Sequence, residues 1–345
     1  MTTTAQDTPG RRQFLRTLGA GAAGLALAAR SMPAAGAKPM RGLFPIGLSP
    51  FTPDDKLDLE GLANEVKFSN RGGVHGFIWP QIASGWSTLT QKERLDGAEA
   101  ILATGKGGKT ALVIGVQASD MAAVTEYAKH AEKLGADGII SLPPPGVTDD
   151  KALLDYYQQV GKLTPLPLFV QSQGSMSVDL VVEIFKAIPT MRQVKDEAGD
   201  PLQRVTQLRQ RTNDQLKVFS GNGVRTMITE MELGFSGHCP FPVLADVYAA
   251  AFDLWHSGKK REAFDMFGRI QALGSMGPVT GHIVFVARGV FKPGTRARTA
   301  APAAAGSDTG PARGGRGGGG GSARPWGEKE IREALDTYLK PYLRA

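Results

Sequence analysis

Short apolar runs alternate with longer segments of helical periodicity along most of this chain. Leu43–Leu48 predicts a strand and Leu59–Arg71 a helix, followed by Gly76–Pro80 and Thr90–Thr104, Ala111–Gly115 and Met121–Leu134, and Gly138–Leu142 and Ala152–Lys162. The pattern continues through Leu166–Val170 and Val178–Ile188, Arg192–Lys195 and Leu202–Arg211, Leu216–Ser220 and Val224–Leu233, and Gly237–Pro240 and Val243–His256. The strand segments alternate little between apolar and polar, as expected when both faces of a parallel sheet are buried. Turn residues such as Gly135-Ala136-Asp137-Gly138 punctuate the joins. Strand–helix units repeated eight times over about 200 residues predict a closed (β/α)8 TIM barrel (class α/β) rather than a doubly wound sheet. Lys260–Leu273 reads as a further helix, Gly281–Phe291 follows it, and Glu328–Leu343 returns to helical periodicity through Ile331, Leu335, Tyr338 and Leu339.

One polar residue disturbs this pattern. Lys195 ends the segment Met191-Arg192-Gln193-Val194-Lys195 and is followed by the acidic turn Asp196-Glu197-Ala198-Gly199-Asp200. Burying an ammonium is costly unless it is paired or loses its proton. A desolvated lysine is a nucleophile towards carbonyls and forms a Schiff base with them. Most lysines at strand ends are solvated surface residues. In a barrel, however, the C-terminal strand ends carry the chemistry, and Lys195 ends strand six.

Several short motifs stand in a particular order around this lysine. They are Pro50-Phe51, Leu57-Asp58-Leu59-Glu60-Gly61-Leu62, Leu89-Thr90-Gln91-Lys92-Glu93-Arg94, Gly135-Ala136-Asp137-Gly138, Val194 to Asp200, and Phe219-Ser220-Gly221-Asn222. With these the chain resembles the dihydrodipicolinate synthase/N-acetylneuraminate lyase superfamily of Schiff-base aldolases and dehydratases, from about Gly42 to about Lys292. The resemblance puts Lys195 at the Schiff-base position. It implies a small-molecule carbonyl substrate, no metal or organic cofactor, and a homo-oligomer, tetrameric by family resemblance.

The departures from the family pattern are concentrated where substrate and protons would be handled. A Gly-Thr-Thr-Gly-Glu loop usually holds the substrate carboxylate; here the run is Gln81-Ile82-Ala83-Ser84-Gly85, with Ser84, Ser87 and Thr88 as the nearby hydroxyls. Gln171 stands where a proton-relaying tyrosine is usual, and an amide cannot serve as a general acid or base near neutral pH. Pro143-Pro144-Pro145-Gly146 replaces the tyrosines often found after strand four, and Met176 an arginine typical of the lysine-pathway enzymes. Lysine biosynthesis is therefore not the expected role. Glu197, two residues beyond Lys195, shares its inward face if strand geometry persists, and is the candidate replacement relay. The candidate catalytic set is Lys195, Glu197 and Gln171, and the candidate substrate-binding set is Gln81, Ser84, Gly221, His238 and Cys239. His238 reads as a proton shuttle or, more simply, a structural histidine, and Cys239 as an inert buried thiol. Trp79 and Trp86 flank the altered loop as a stacking wall or as ordinary packing.

The N-terminus predicts export. Gly10-Arg11-Arg12-Gln13-Phe14-Leu15-Arg16 is a twin-arginine motif, followed by an apolar Gly/Ala-rich stretch and the cleavage site Ala35-Gly36-Ala37. The stretch is too short for an ordinary membrane span. The twin-arginine export machinery is thus an expected partner, and the mature enzyme, beginning at Lys38, is expected in the periplasm or outside the cell. The single cysteine rules out an intrachain disulfide, and the five histidines show no metal-binding spacing. The formal charge of +7 is misleading: Met1–Arg41 and Lys292–Pro325 each carry +5, leaving −3 for the remainder, with no basic signature for nucleic acid.

The expected organisation is a leader over 1–37, the barrel over 38–242 and C-terminal helices over 243–298. A Gly/Ala/Arg-rich insert over 299–325, too poor in apolar residues to fold, precedes a terminal helix over 326–345. The function read from the sequence is a Schiff-base lyase, aldolase or dehydratase, acting on a keto acid or keto-sugar derivative through Lys195. The alternatives are a non-catalytic barrel that binds a carbonyl ligand, and a metal-dependent sugar isomerase or epimerase.

Overall fold

The structure, a computed structural model, describes residues 38–277, 280–298 and 326–345. The leader and the Gly/Ala/Arg-rich insert lie outside the described residues. Eight parallel strands form one sheet: β1 (Gly42–Leu43), β2 (Gly76–Trp79), β3 (Ala111–Gly115), β4 (Gly138–Ser141), β5 (Leu168–Ser172), β6 (Met191–Asp196), β7 (Lys217–Ser220) and β8 (Gly237–His238). Their order is β1-β8-β7-β6-β5-β4-β3-β2, and a parallel bridge between Ile46 and Ile78 joins the two ends. This is a (β/α)8 barrel. The intervening helices are α1 (Leu59–Arg71), α2 (Gln91–Gly105), α3 (Met121–Leu134), α4 (Asp150–Leu163), α5 (Val178–Ala187), α6 (Pro201–Arg211), α7 (Met227–Glu232) and α8 (Ala245–His256).

Element ends differ from the sequence pattern for identifiable reasons. The regular part of β1 stops before Pro45, which has no N–H to donate, yet Gly47 N still bonds Ile78 O at 2.9 Å. The start of α7 shifts from Val224 to Met227 because Val224 sits in the left-handed region (φ 58°), which a helix cannot include. Asp149 extends α4 by capping it, its carboxylate accepting from Ala152 N at 2.8 Å. Thr90 and Glu93 form a capping box at the start of α2.

Two faces of the strands make two cores. Leu112, Ile139, Leu168, Val170 and Val194 point outward into the layer shared with the helices. Phe44, Ile46, Ile78, Val113, Ile140, Phe169 and Phe219 fill the barrel interior. The rings of Phe44, Phe169 and Phe219 meet pairwise with centroids 5.1–5.9 Å apart and plug the barrel beneath the C-terminal strand ends. Gly237 permits this: a Cβ there would lie 2.3 Å from Phe219 Cε1.

Beyond α8 come α9 (Lys260–Met276), α10 (His282–Ala287) and α11 (Glu328–Tyr338). Their apolar faces, with Ile331, Leu335 and Leu339, join the core around α8. The chain end is held by a buried ion pair: Arg288 donates to Asp246 and to Ala345 O, and Asp246 accepts from Arg344 N at 2.9 Å. Residues 292–298 return to the C-terminal face of the barrel, where Phe51 and Arg296 pair antiparallel. Among the described residues no helix is long and apolar enough to cross a membrane.

Candidate active site

The site follows from strand alternation at the ends of β5 and β6. Gln171 is in register with Lys195 and Ser172 with Asp196. Phe169 fills the barrel interior, so Gln171, two residues on, also points inward; Gln193, Lys195 and Glu197 share that face on β6. Lys195 Nζ lies 2.7 Å from Glu197 Oε1, with the lysine side chain 5% exposed and the glutamate 24%. Gln171 Nε2 donates to Glu197 Oε2 at 2.6 Å, and Gln173 Nε2 reaches the same oxygen at 3.5 Å. Glu197 N remains tied to β5 through Ser172 O at 3.3 Å, which is why the glutamate keeps strand orientation beyond the end of β6. Gly221 clears the space beside it: a Cβ there would stand 2.2 Å from Glu197 Cγ. The structure thus brings Lys195, Glu197, Gln171 and Gly221 together at the mouth of the barrel.

Cys239 is also inward, in the apolar interior, where burial pushes its thiol up to about 12 despite the nearby lysine. His238 is turned the other way. It is fully buried outside the barrel wall, with Nδ1 2.7 Å from Glu230 Oε2 and its ring against Phe235 and Phe252. Glu230 also accepts from Ser220 and Thr226, each at 2.8 Å. Burial raises the Glu230 carboxyl, but the bonds from His238, Ser220 and Thr226 outweigh it and hold the group below the usual carboxylate range. The histidine faces outward because it is one residue out of phase with the inward Gly237 and Cys239.

The altered loop after β2 is a tight turn. Ser84 Oγ donates to Gly47 O at 2.5 Å and accepts from Gln81 N at 2.9 Å, so its hydroxyl is committed to the fold. Gln81 is fully buried and its Nε2 donates to Gln117 Oε1 at 2.9 Å; Gln117 Nε2 in turn donates to Pro80 O at 2.9 Å. Ile82 is 44% exposed. Trp79 is fully buried, its ring against Gly97 of α2 and its Nε1 donating to Ser49 Oγ at 3.0 Å, which makes it packing. Met176 is buried in the layer between strands and helices.

Sequence reasoning did not single out Gln117, Gln193, Tyr157 or Glu230. Tyr157, on α4, donates to Gln171 O at 3.1 Å and steadies the β5 end from behind. For Gln117 a signal existed: it continues the inward series Val113, Gly115 at period two. For Glu230 and Tyr157 none did, since both act through partners distant in the chain.

Comparison with known proteins follows the same frame. The model of the dihydrodipicolinate synthetase family matches residues 39–287. A 4-hydroxy-tetrahydrodipicolinate synthase from Methanosarcina mazei is 26% identical over 193 residues, which cover 54% of this chain and 65% of that protein. The chain thus spans just under two thirds of the length of that curated relative. Among solved structures, dihydrodipicolinate synthase from Rhodopseudomonas palustris superposes with a TM-score of 0.65 at 22% identity, over 75% of this chain and 93% of the other. The sialic acid aldolase of Ruminococcus gnavus gives 0.71 at 16% identity, over 88% and 99%. At those identities the structural likeness concerns the fold.

Proposed function

Because the chain belongs to the dihydrodipicolinate synthetase family, we propose that it is a Schiff-base lyase, an aldolase or dehydratase that works through Lys195. The observation that carries this reading is a lysine almost wholly shielded from solvent at the C-terminal end of β6, with a carboxylate 2.7 Å from its nitrogen. The amine adds to the substrate carbonyl. Glu197 takes the proton that Nζ sheds as the C–N bond forms and returns it to the carbonyl oxygen, which takes a second proton from solvent and leaves as water. The resulting iminium is the electron sink. In an aldolase the substrate hydroxyl gives its proton to Glu197 as the C–C bond breaks, and the enamine takes that proton back on carbon. In a dehydratase the carbon beside the iminium gives its proton to Glu197, and the enamine expels the next hydroxyl, which leaves with that proton as water. A further water then releases the product from the lysine. Gln171 holds Glu197 in place through its amide N–H and transfers no proton.

The substrate in this reading is a keto-acid or keto-sugar derivative outside lysine biosynthesis. Gln171 at the usual tyrosine position and Ser84 locked into the loop support that restriction. One observation favours a second reading, a barrel that binds carbonyl compounds without turnover: Gln171 cannot relay protons. Borohydride trapping against a panel of carbonyl compounds, read by intact mass, tests the first reading. A substrate-sized adduct that disappears in Lys195→Ala supports it, and an adduct unchanged in that variant rejects it.

The leader supports export of the folded enzyme by the twin-arginine machinery. Fusing residues 1–37 to a folded reporter checks this: the reporter should leave the cytoplasm, and Arg11→Lys with Arg12→Lys should retain it there.

A further inference from the structure

The residues that follow β6 are held by a side chain as much as by the sheet ladder. β6 ends at Asp196, whose register partner is Ser172, the last residue of β5. Glu197 is one step past that pair. The Ser172 hydroxyl accepts from Glu197 N at 3.2 Å and from Ala198 N at 3.4 Å. The same hydroxyl donates to Asp196 Oδ1. An ionised carboxylate can only accept, so this bond fixes the hydroxyl proton on Asp196 and leaves the oxygen's lone pairs for the two N–H groups.

Asp196 is fully buried, and Arg204 of α6 grips it as a fork, Nε to Oδ2 at 2.9 Å and Nη2 to Oδ1 at 3.1 Å. A buried pair of this kind keeps its geometry, because parting it would leave an uncompensated charge. Arg204, Asp196 and Ser172 thus connect a helix outside the wall to the backbone of Glu197. The Glu197 side chain is 24% exposed at the mouth, where only Lys195, Gln171 and Gln173 meet its carboxylate. A residue beyond the ladder keeps the alternation of faces only while its backbone stays extended, and losing it would carry the carboxylate away from Lys195.

We propose that Ser172, set by Asp196 and Arg204, is a positioning residue for Glu197. It holds the carboxylate at Lys195 for proton transfer to and from the carbon beside the iminium. This rests on the Schiff-base reading, which supplies that iminium. Deuterium uptake by one keto acid, pyruvate, and one ketose, dihydroxyacetone, is followed by proton NMR in D2O with the full chain. In each exchange the carbon beside the iminium gives a proton to Glu197, which trades it with solvent and returns a deuteron to the enamine carbon. Hydrolysis then frees the labelled compound and the lysine. Only uptake lost in Lys195→Ala is counted.

Ser172→Ala should lower the maximal rate at least about tenfold, part of the roughly 100-fold or more that a general acid–base group carries. The half-maximal concentration should stay within about twofold, because Ser172 reaches the chemistry only through Glu197. Ser172→Thr, which keeps the hydroxyl, should restore most of the rate. Adding Ser172→Ala to Glu197→Gln should slow exchange no further. If Ser172→Ala does not fold, Arg204→Gln, which opens the fork from the helix side, is read in the same way. An unchanged maximal rate, a fall confined to the half-maximal concentration, or an equal fall in the Glu197→Gln background would overturn the inference and leave the Schiff-base reading standing. No Lys195-dependent uptake from either compound would reject the Schiff-base reading and the inference with it.

Discussion

Asp196 and Glu197 are adjacent in the chain and lie on opposite sides of the barrel wall. The outward carboxylate of Asp196 is saturated: it accepts from Ser172 Oγ and from both Nε and Nη2 of Arg204. Glu230, also outside the wall, has the same character, with Ser220, Thr226 and His238 as donors. The inward Glu197 instead touches a lysine and an amide whose oxygen remains unpaired, and is 24% exposed at the mouth. The two outward carboxylates are thus held by several donors each, whereas the inward one is shared between the lysine and a single amide and remains open at the mouth.

The comparison predicts graded effects. Lys195→Ala should abolish both turnover and borohydride-trapped adduct, measured by product assay and intact mass, with the thermal transition retained. Glu197→Gln should lower turnover at least about 100-fold, the usual range for a general acid–base group. Adduct formation should stay measurable; turnover near wild type with an unchanged pH–rate profile would remove Glu197 from the proton path.

Outside the wall the effect should appear in stability. Glu230→Gln is expected to cost about 1–3 kcal/mol, from urea titration at neutral pH, because three donors lose a charged acceptor. Its folded-state value lies below the ordinary 4.5, so its contribution is present above that pH and is lost as pH falls through the folded value. The gap between wild type and variant should therefore narrow below about pH 4.5. A gap that stays constant into acid would show that the carboxylate charge does not matter there.

The smallest effect is expected at Cys239. Its thiol, pushed up to about 12 in the apolar interior, should resist iodoacetamide in the native protein at about pH 8 and react only after unfolding. Rapid native alkylation would mean that the interior below the site is open to solvent.

The order of strands and helices and the place of Lys195 at the end of the sixth strand were legible in the chain, because both depend on local periodicity. Period two also carries Glu197 and Gln171 to the face of Lys195. The same rule, applied to His238 from the inward Cys239, turns the histidine outward, away from the substrate-binding set it was assigned to. What periodicity cannot reach is pairing across the barrel. That Ser84 spends its hydroxyl on Gly47 O, that Gln117 pins Gln81, and that Glu230 gathers Ser220, Thr226 and His238 are facts of three-dimensional neighbourhood. The sequence alone determined the order of strands and helices and the alternation of faces along each strand. Only the tertiary structure decided which of their polar atoms are spent, since a hydrogen bond's partner is set by closure of the barrel and by residues far apart in the chain.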